Sequence, residues 1–181
     1  MVTPVYSPDH QVKFFADDAD RIRTVADFAR AGIDAGETFV VVATPPHREG
    51  IRTHLEAPGV NCAALAAGYQ YIELDARTLL SQFMVGASCD RPSFHLVLDT
   101  LMRQAASRGQ PVRAHGEMVN LLVEDGLPEA AIELEMLWNE LRRQHRFTLL
   151  CGYSAAAIAS TTCPRLSERI RALHTHVLPA A

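Results

Sequence analysis

Residues able to do chemistry in this chain cluster just after its short apolar runs. His115 and Glu117, in Arg113-Ala114-His115-Gly116-Glu117, pair an imidazole that titrates near neutrality with a carboxylate able to tune it. A strand would put both on one face, but Gly116 is expected to end that strand, and no nucleophile motif accompanies the pair. A hydrogen-bonding structural or ligand role is therefore favoured over acid–base catalysis, and no catalytic residue is assigned. Cys151 ends another apolar run, but nothing in the sequence places a histidine beside it, so packing as a small hydrophobe is the simpler reading.

No metal site is expected either. His47 and His54 lie about two helical turns apart, too far to share one ion. His174 and His176 fall in an expected terminal helix and point to different sides. Asp17, Asp18 and Asp20 lack the loop and closing Glu of an EF-hand and read as a solvated helix start.

The loop after the run Thr38-Phe39-Val40-Val41-Val42-Ala43 stands where a phosphate-binding loop would read G-x-x-x-x-G-K-[ST]. It reads Thr44-Pro45-Pro46-His47-Arg48-Glu49-Gly50. Two prolines remove N–H donors, Glu49 adds negative charge where phosphate would sit, and no Gly-Lys pair is present. A nucleotide site would have to be rebuilt around Arg48 or Arg52 at a helix start.

The elements that must position these residues follow from periodicity. Strands are expected at Val12–Phe15, Thr38–Ala43, Tyr69–Leu74, Pro111–His115 and Phe147–Cys151. The second has no polar face, as expected for a strand covered on both sides. Helices are expected from Arg21 to about Ala31, from His47 to Leu55, and after the Asp75 cap with Leu79, Leu80, Phe83 and Met84 on its apolar face. Asp90-Arg91-Pro92 breaks the chain, and further helices should carry Phe94, Val97, Leu98, Leu101, Met102 and Ala105 to an end at Gly109, run over Met118–Val123, and extend from Pro128 to about Leu141. Trp138 beside Leu134, Leu137 and Leu141 reads as core. A last amphipathic helix, residues 164–178, carries Leu166, Ile170, Leu173 and Val177, a stripe that would pack on its own sheet or form a homodimer. Helices alternating with short apolar strands imply an α/β fold of three layers, a mainly parallel sheet with helices on both faces.

The 181 residues suit one domain, and Lys+Arg 17 against Asp+Glu 21 gives a net charge of −4, which argues against nucleic acid as a partner. Four cysteines without C-x-x-C spacing suit thiols in a reducing, cytoplasmic compartment. Met1–His10 has neither a basic start nor an apolar run, so no signal peptide is expected. No apolar stretch approaches the roughly 18 to 20 residues of a membrane span.

Four motifs, in order, carry a family resemblance: His10-Gln11-Val12-Lys13-Phe14-Phe15, Arg113-Ala114-His115-Gly116-Glu117-Met118, Leu134-Glu135-Met136-Leu137-Trp138-Asn139-Glu140-Leu141, and Leu149-Leu150-Cys151-Gly152-Tyr153. Over residues 10–153 the chain resembles the MEDS family, the sensory domain of DcmR-type regulators. The resemblance implies a RecA/KaiC-like fold and a role in signal transduction, proposed for the family to be sensing small organic molecules, and it implies no established catalytic reaction. Without a functional P-loop, a non-catalytic domain that binds a small organic ligand or a signalling partner protein is expected, with no cofactor. The alternatives are a nucleotide-binding switch and a pure protein-interaction module. Output would pass through a separate protein such as a histidine kinase or regulator. Ligands in open α/β sheets bind beyond the carboxyl ends of the strands. That rule and the family-like motifs select Thr44, Arg113, His115, Glu117, Glu135 and Tyr153 as ligand-binding candidates, with Glu117 or Glu135 expected to pair with Arg113.

Overall fold

The computed structural model describes residues 9–179, so residues 1–8 of the segment read as lacking a signal peptide lie outside the described residues. The chain runs through β1 (His10–Phe15), α1 (Asp18–Asp34), β2 (Thr38–Ala43), α2 (Pro45–Glu56), α3 (Cys62–Ala67), β3 (Tyr71–Asp75) and α4 (Ala76–Leu80). A small antiparallel hairpin, β4 (Met84–Val85) and β5 (Ser88–Cys89), leads to α5 (Arg91–Ala105), β6 (Val112–Gly116) and α6 (Met118–Glu124). Then come α7 (Pro128–Gln144), β7 (Phe147–Ser154), α8 (Ala155–Ser160), α9 (Leu166–Ala172) and β8 (His176–Val177).

Six strands form one sheet in the order β3-β2-β6-β7-β1-β8, and every neighbouring pair is parallel. The all-apolar middle of β2 explains its place inside the sheet. Val40 and Val42 pack into the core under α4 to α7, while Phe39, Val41 and Ala43 pack under α1 and α2. This is the three-layer α/β arrangement expected from the alternation of elements. Helix starts are fixed by side-chain acceptors: Asp17, Asp75, Asp90 and Ser154 each accept from a backbone N–H three residues on. Gly109 stops the α5 region with a φ of +70°.

Among the described residues, helix α9 ends at Ala172, short of the boundary near residue 178 expected from its stripe. The stripe is divided. Leu166 and Ile170 are buried, while Val177 is in a strand and partly exposed. The cause is the open edge of β1, whose backbone groups need partners. Thr175 N donates to His10 O (2.7 Å) and Leu178 N to Val12 O (2.8 Å), so pairing with the sheet wins over another helical turn. Helix α4 also stops early, and Met84 joins the hairpin instead. Strand β7 continues to Ser154, so Tyr153 lies within it. The short Ala-rich helices α3 and α8 show no periodic stripe and escaped the sequence reading.

Gly152 marks a close approach inside this sheet. A Cβ there would lie 2.5 Å from Phe15 Cε2 and 3.2 Å from His115 Cε1. The Phe15 ring is buried beneath the Arg21 guanidinium, 5.0 Å from its centroid, and has little room to yield. Gly152→Ala is expected to cost about 1–3 kcal/mol in chemical denaturation through overpacking. Gly116→Ala, with nothing within 4 Å of the new methyl, should stay within about 0.5 kcal/mol of the wild type.

Candidate functional site: a buried carboxylate at the carboxyl edge

Strands β2 and β6 are neighbours in a register that pairs Val42 with Gly116, so the residues just beyond them, Thr44 and Glu117, meet at the carboxyl edge. Glu117 N donates to Val42 O at 3.1 Å, and Thr44 N donates to the Glu117 carboxylate in return. Pro45 starts α2 at once, which turns His47 back so that its Nδ1 lies 2.7 Å from Glu117 Oε2. From α1, Arg21 Nη1 reaches the same oxygen at 3.4 Å. Glu117 is 1% exposed and Arg21 2%. His47 Nε2 faces Asp18 Oδ1 at 3.1 Å, and the Asp18 side chain is largely in water. The group therefore forms a path of charge from solvent to a buried carboxylate.

Burial alone would raise the Glu117 pKa. The hydrogen bond and charge of His47, with the Thr44 N–H and the charge of His115, outweigh it and hold Glu117 at about 2. The hydrogen bond to Glu117 raises His47 above its usual value, against burial and the nearby Arg21. With a carboxylate at each ring nitrogen, the imidazolium is the form that satisfies both.

His115 lies in β6 on the α1 face, fully buried against Phe15 and Gly152. Burial lowers its pKa to about 4, leaving a neutral ring near neutrality. Its Nδ1 is 2.9 Å from Leu150 O, which makes Nδ1 the donor, while Nε2 is buried without a hydrogen-bond partner. This is the structural hydrogen bond favoured over catalysis.

Arg113 is elsewhere. It sits at the amino end of β6, where Nε donates to Glu37 Oε2 at 2.6 Å and the guanidinium covers the Phe28 ring, 4.7 Å from its centroid. The expected pairing with Glu117 or Glu135 is thus incorrect: Arg21 takes Glu117, and Glu37, just before β2, is in reach of Arg113 without crossing the sheet.

Glu135 and Tyr153 belong to the opposite face, beneath α7. Tyr153 OH donates to Glu135 Oε1 (2.7 Å), and Cys151 Sγ lies 3.3 Å from Glu135 Oε2. His10 Nε2 and His174 Nε2 lie 3.2 and 3.4 Å from that same oxygen. The ligating atoms of His10, Glu135, Cys151 and His174 all fall within 4.8 Å of one another. Two expectations fail here: Cys151 does have a histidine beside it, and His174 is not on a helix but follows α9 with its side chain turned inward.

The six candidates therefore do not line one crevice. Thr44 and Glu117 share the carboxyl edge, His115 packs beneath it, Glu135 and Tyr153 lie on the other face, and Arg113 is at the amino end. Arg21 and His47 were missed as site residues. Their positions in sequence, in the first turns of α1 and α2 beside a strand's carboxyl end, were the available signal. Among the described residues, the acidic group Asp17, Asp18 and Asp20 is only partly solvated, since Asp20 is buried and accepts from Lys13 Nζ at 2.9 Å. The loop after β1, Ala16-Asp17, lacks a Gly-Lys pair just as Thr44–Gly50 does.

Glu117→Gln leaves the buried Arg21 without its carboxylate partner and His47 with only the exposed Asp18, and is expected to cost about 3–5 kcal/mol in denaturant unfolding. The raised His47 pKa stabilises the fold fully below its unfolded value of 6.5, and this is lost as pH rises through the higher folded value. The lowered Glu117 pKa contributes above 4.5 and is lost as pH falls toward about 2. His47→Gln should therefore remove the loss of thermal stability that the wild type shows on the alkaline side of 6.5.

A family model described as MEthanogen/methylotroph, DcmR Sensory domain matches residues 9–176 of the 181. No curated protein and no solved structure matches the chain. The family match spans β1 to the first residue of β8, taking in the Glu117 edge, the Glu135 group and His174. This chain belongs to the MEDS family of sensory domains.

Proposed function

We propose that this sensory domain is non-catalytic, acts in the cytoplasm, and receives its signal at the carboxyl edge around Thr44, His47 and Glu117. The input is a small organic molecule, and the output passes to a separate signalling protein such as a histidine kinase or regulator. The observation that carries this reading is the Glu117 carboxylate itself, which joins α1 through Arg21 and α2 through His47 and the Thr44 N–H. A ligand that takes over one of those hydrogen bonds changes how both helices are held, which is what a sensor requires of its input site. His47, with 15% of its side chain exposed, is the member that solvent-borne molecules reach.

The non-catalytic reading is supported by the neutral, enclosed His115 and by the absence of a nucleophile motif. Four free cysteines, and the lack of any helix long and apolar enough to cross a membrane among the described residues, support the cytoplasmic assignment. The nucleotide alternative is weakened because Arg48 faces Asp75 at 3.7 Å and Arg52 faces Glu73 at 3.1 Å.

A thermal-shift screen with short alcohols, amines and halomethanes tests the proposal. A ligand at about a hundred times its Kd should add about 2.7 kcal/mol of stability. His47→Gln should abolish that gain, while Arg113→Lys, at the amino end, should leave it intact. Stabilisation indifferent to His47→Gln moves the site elsewhere, and micromolar binding of ATP with magnesium favours the nucleotide reading instead.

A further inference from the structure

On the face of the sheet opposite the carboxyl-edge group, we propose that His10, Glu135, Cys151 and His174 form a closed binding site for one divalent first-row metal ion, with zinc the best fit. The site is independent of the ligand reading at Glu117.

Four of the six donor–donor separations have the spacing that such an ion demands, and all six lie within 4.8 Å. Metal–ligand distances of about 2.0–2.3 Å in a tetrahedral zinc site place neighbouring donors about 3.3–3.6 Å apart. Here Glu135 Oε2 lies 3.2 Å from His10 Nε2, 3.3 Å from Cys151 Sγ and 3.4 Å from His174 Nε2, and His10 Nε2 lies 3.4 Å from Cys151 Sγ. The donor set suits a borderline-soft ion: two imidazoles, one thiolate and one carboxylate.

The surrounding hydrogen bonds fix which atoms are free to ligate. His174 Nδ1 is 2.7 Å from Ile170 O, a carbonyl that can only accept, so Nδ1 carries the proton and Nε2 presents its lone pair. Asn139 Nδ2 donates to Leu173 O at 2.9 Å, which turns its Oδ1 toward His10 Nδ1 at 3.0 Å and sets the same tautomer there. Metal-bound histidines are held in this way through their outer nitrogen. Two imidazole lone pairs and a carboxylate oxygen thus converge, with the Cys151 thiol as the one proton donor among the four. His174 Nε2, in a fully buried side chain, faces Glu135 Oε2 at 3.4 Å without a well-formed hydrogen bond. A cation at the centre supplies what this excess of acceptors lacks.

Charge balances too. On binding, the Cys151 thiol releases its proton to solvent, and a divalent ion with one thiolate and one carboxylate is neutral, which a buried site favours. Tyr153 OH, donating to Glu135 Oε1, holds the carboxylate so that Oε2 faces the centre. Such a site ties β1, α7 and β7 to the segment after α9, joining residue 10 to residue 174. Four protein ligands and full enclosure assign it a structural role.

The test uses the intact chain, stripped with a chelator under reducing conditions and titrated with Co(II) alone. The expected result is one equivalent bound, with the intense visible bands of tetrahedral cobalt and a thiolate-to-cobalt charge-transfer band. Cys151→Ser should lose the charge-transfer band while keeping the tetrahedral bands. Asn139→Ala, which touches no ligand atom of the centre directly, should weaken uptake by about 10- to 100-fold. Circular dichroism identifies any variant that fails to fold, and the wild-type spectrum decides the matter without variants. No uptake by the wild type, a six-coordinate spectrum, or a charge-transfer band that survives Cys151→Ser would overturn the proposal.

Discussion

A carboxylate that keeps its charge where water scarcely reaches must be held by whatever surrounds it, and Glu117 organises the carboxyl edge on those terms. Its oxygens take the Thr44 N–H, the His47 ring and the Arg21 guanidinium, one partner from each element that converges there. Removing the carboxylate leaves the buried Arg21 charge without its partner. The angle at which α2 leaves β2 and the position of the first turn of α1 over the sheet are thereby set by one side chain. Phe15, buried under Arg21, passes the same constraint down to Gly152 and His115 in the layer below.

The opposite face repeats the device with a different outcome. Glu135 is also buried, but its partners are two imidazoles, a thiol and a phenol. One carboxylate is linked to solvent through His47 and Asp18; the other is sealed beneath α7 and the chain after α9. The sheet separates an edge linked to solvent from an enclosed group beside the chain after α9. Both lie within the stretch matched by the sensory family.

Much of the scaffold was legible in the sequence, because burial on two faces leaves a direct imprint. The run Thr38–Ala43 could hardly be anything but an inner strand, and the Asp and Pro residues that begin helices announced α1, α2, α4 and α7. The rule for strand ends selected Thr44 and Glu117, and these two do meet at the carboxyl edge. The pairing of charges was not legible. Arg113 and Glu117 are close in sequence yet lie at opposite ends of β6, whereas Arg21 and Glu117, far apart in sequence, meet because α1 crosses back over the sheet. His174 was hidden for a different reason: its stripe continued the helical period, and only the unpaired edge of β1 ends the helix before it.

The pKa of His47, followed by NMR titration of its ring resonances, tests the role of Glu117 most directly. In the wild type it should lie above the ordinary histidine value of 6.5, because the Glu117 hydrogen bond outweighs burial and Arg21, and it should fall in Glu117→Gln. A His47 that titrates at its ordinary value in the wild type, or that is unmoved by Glu117→Gln, would contradict a carboxyl edge organised around this carboxylate.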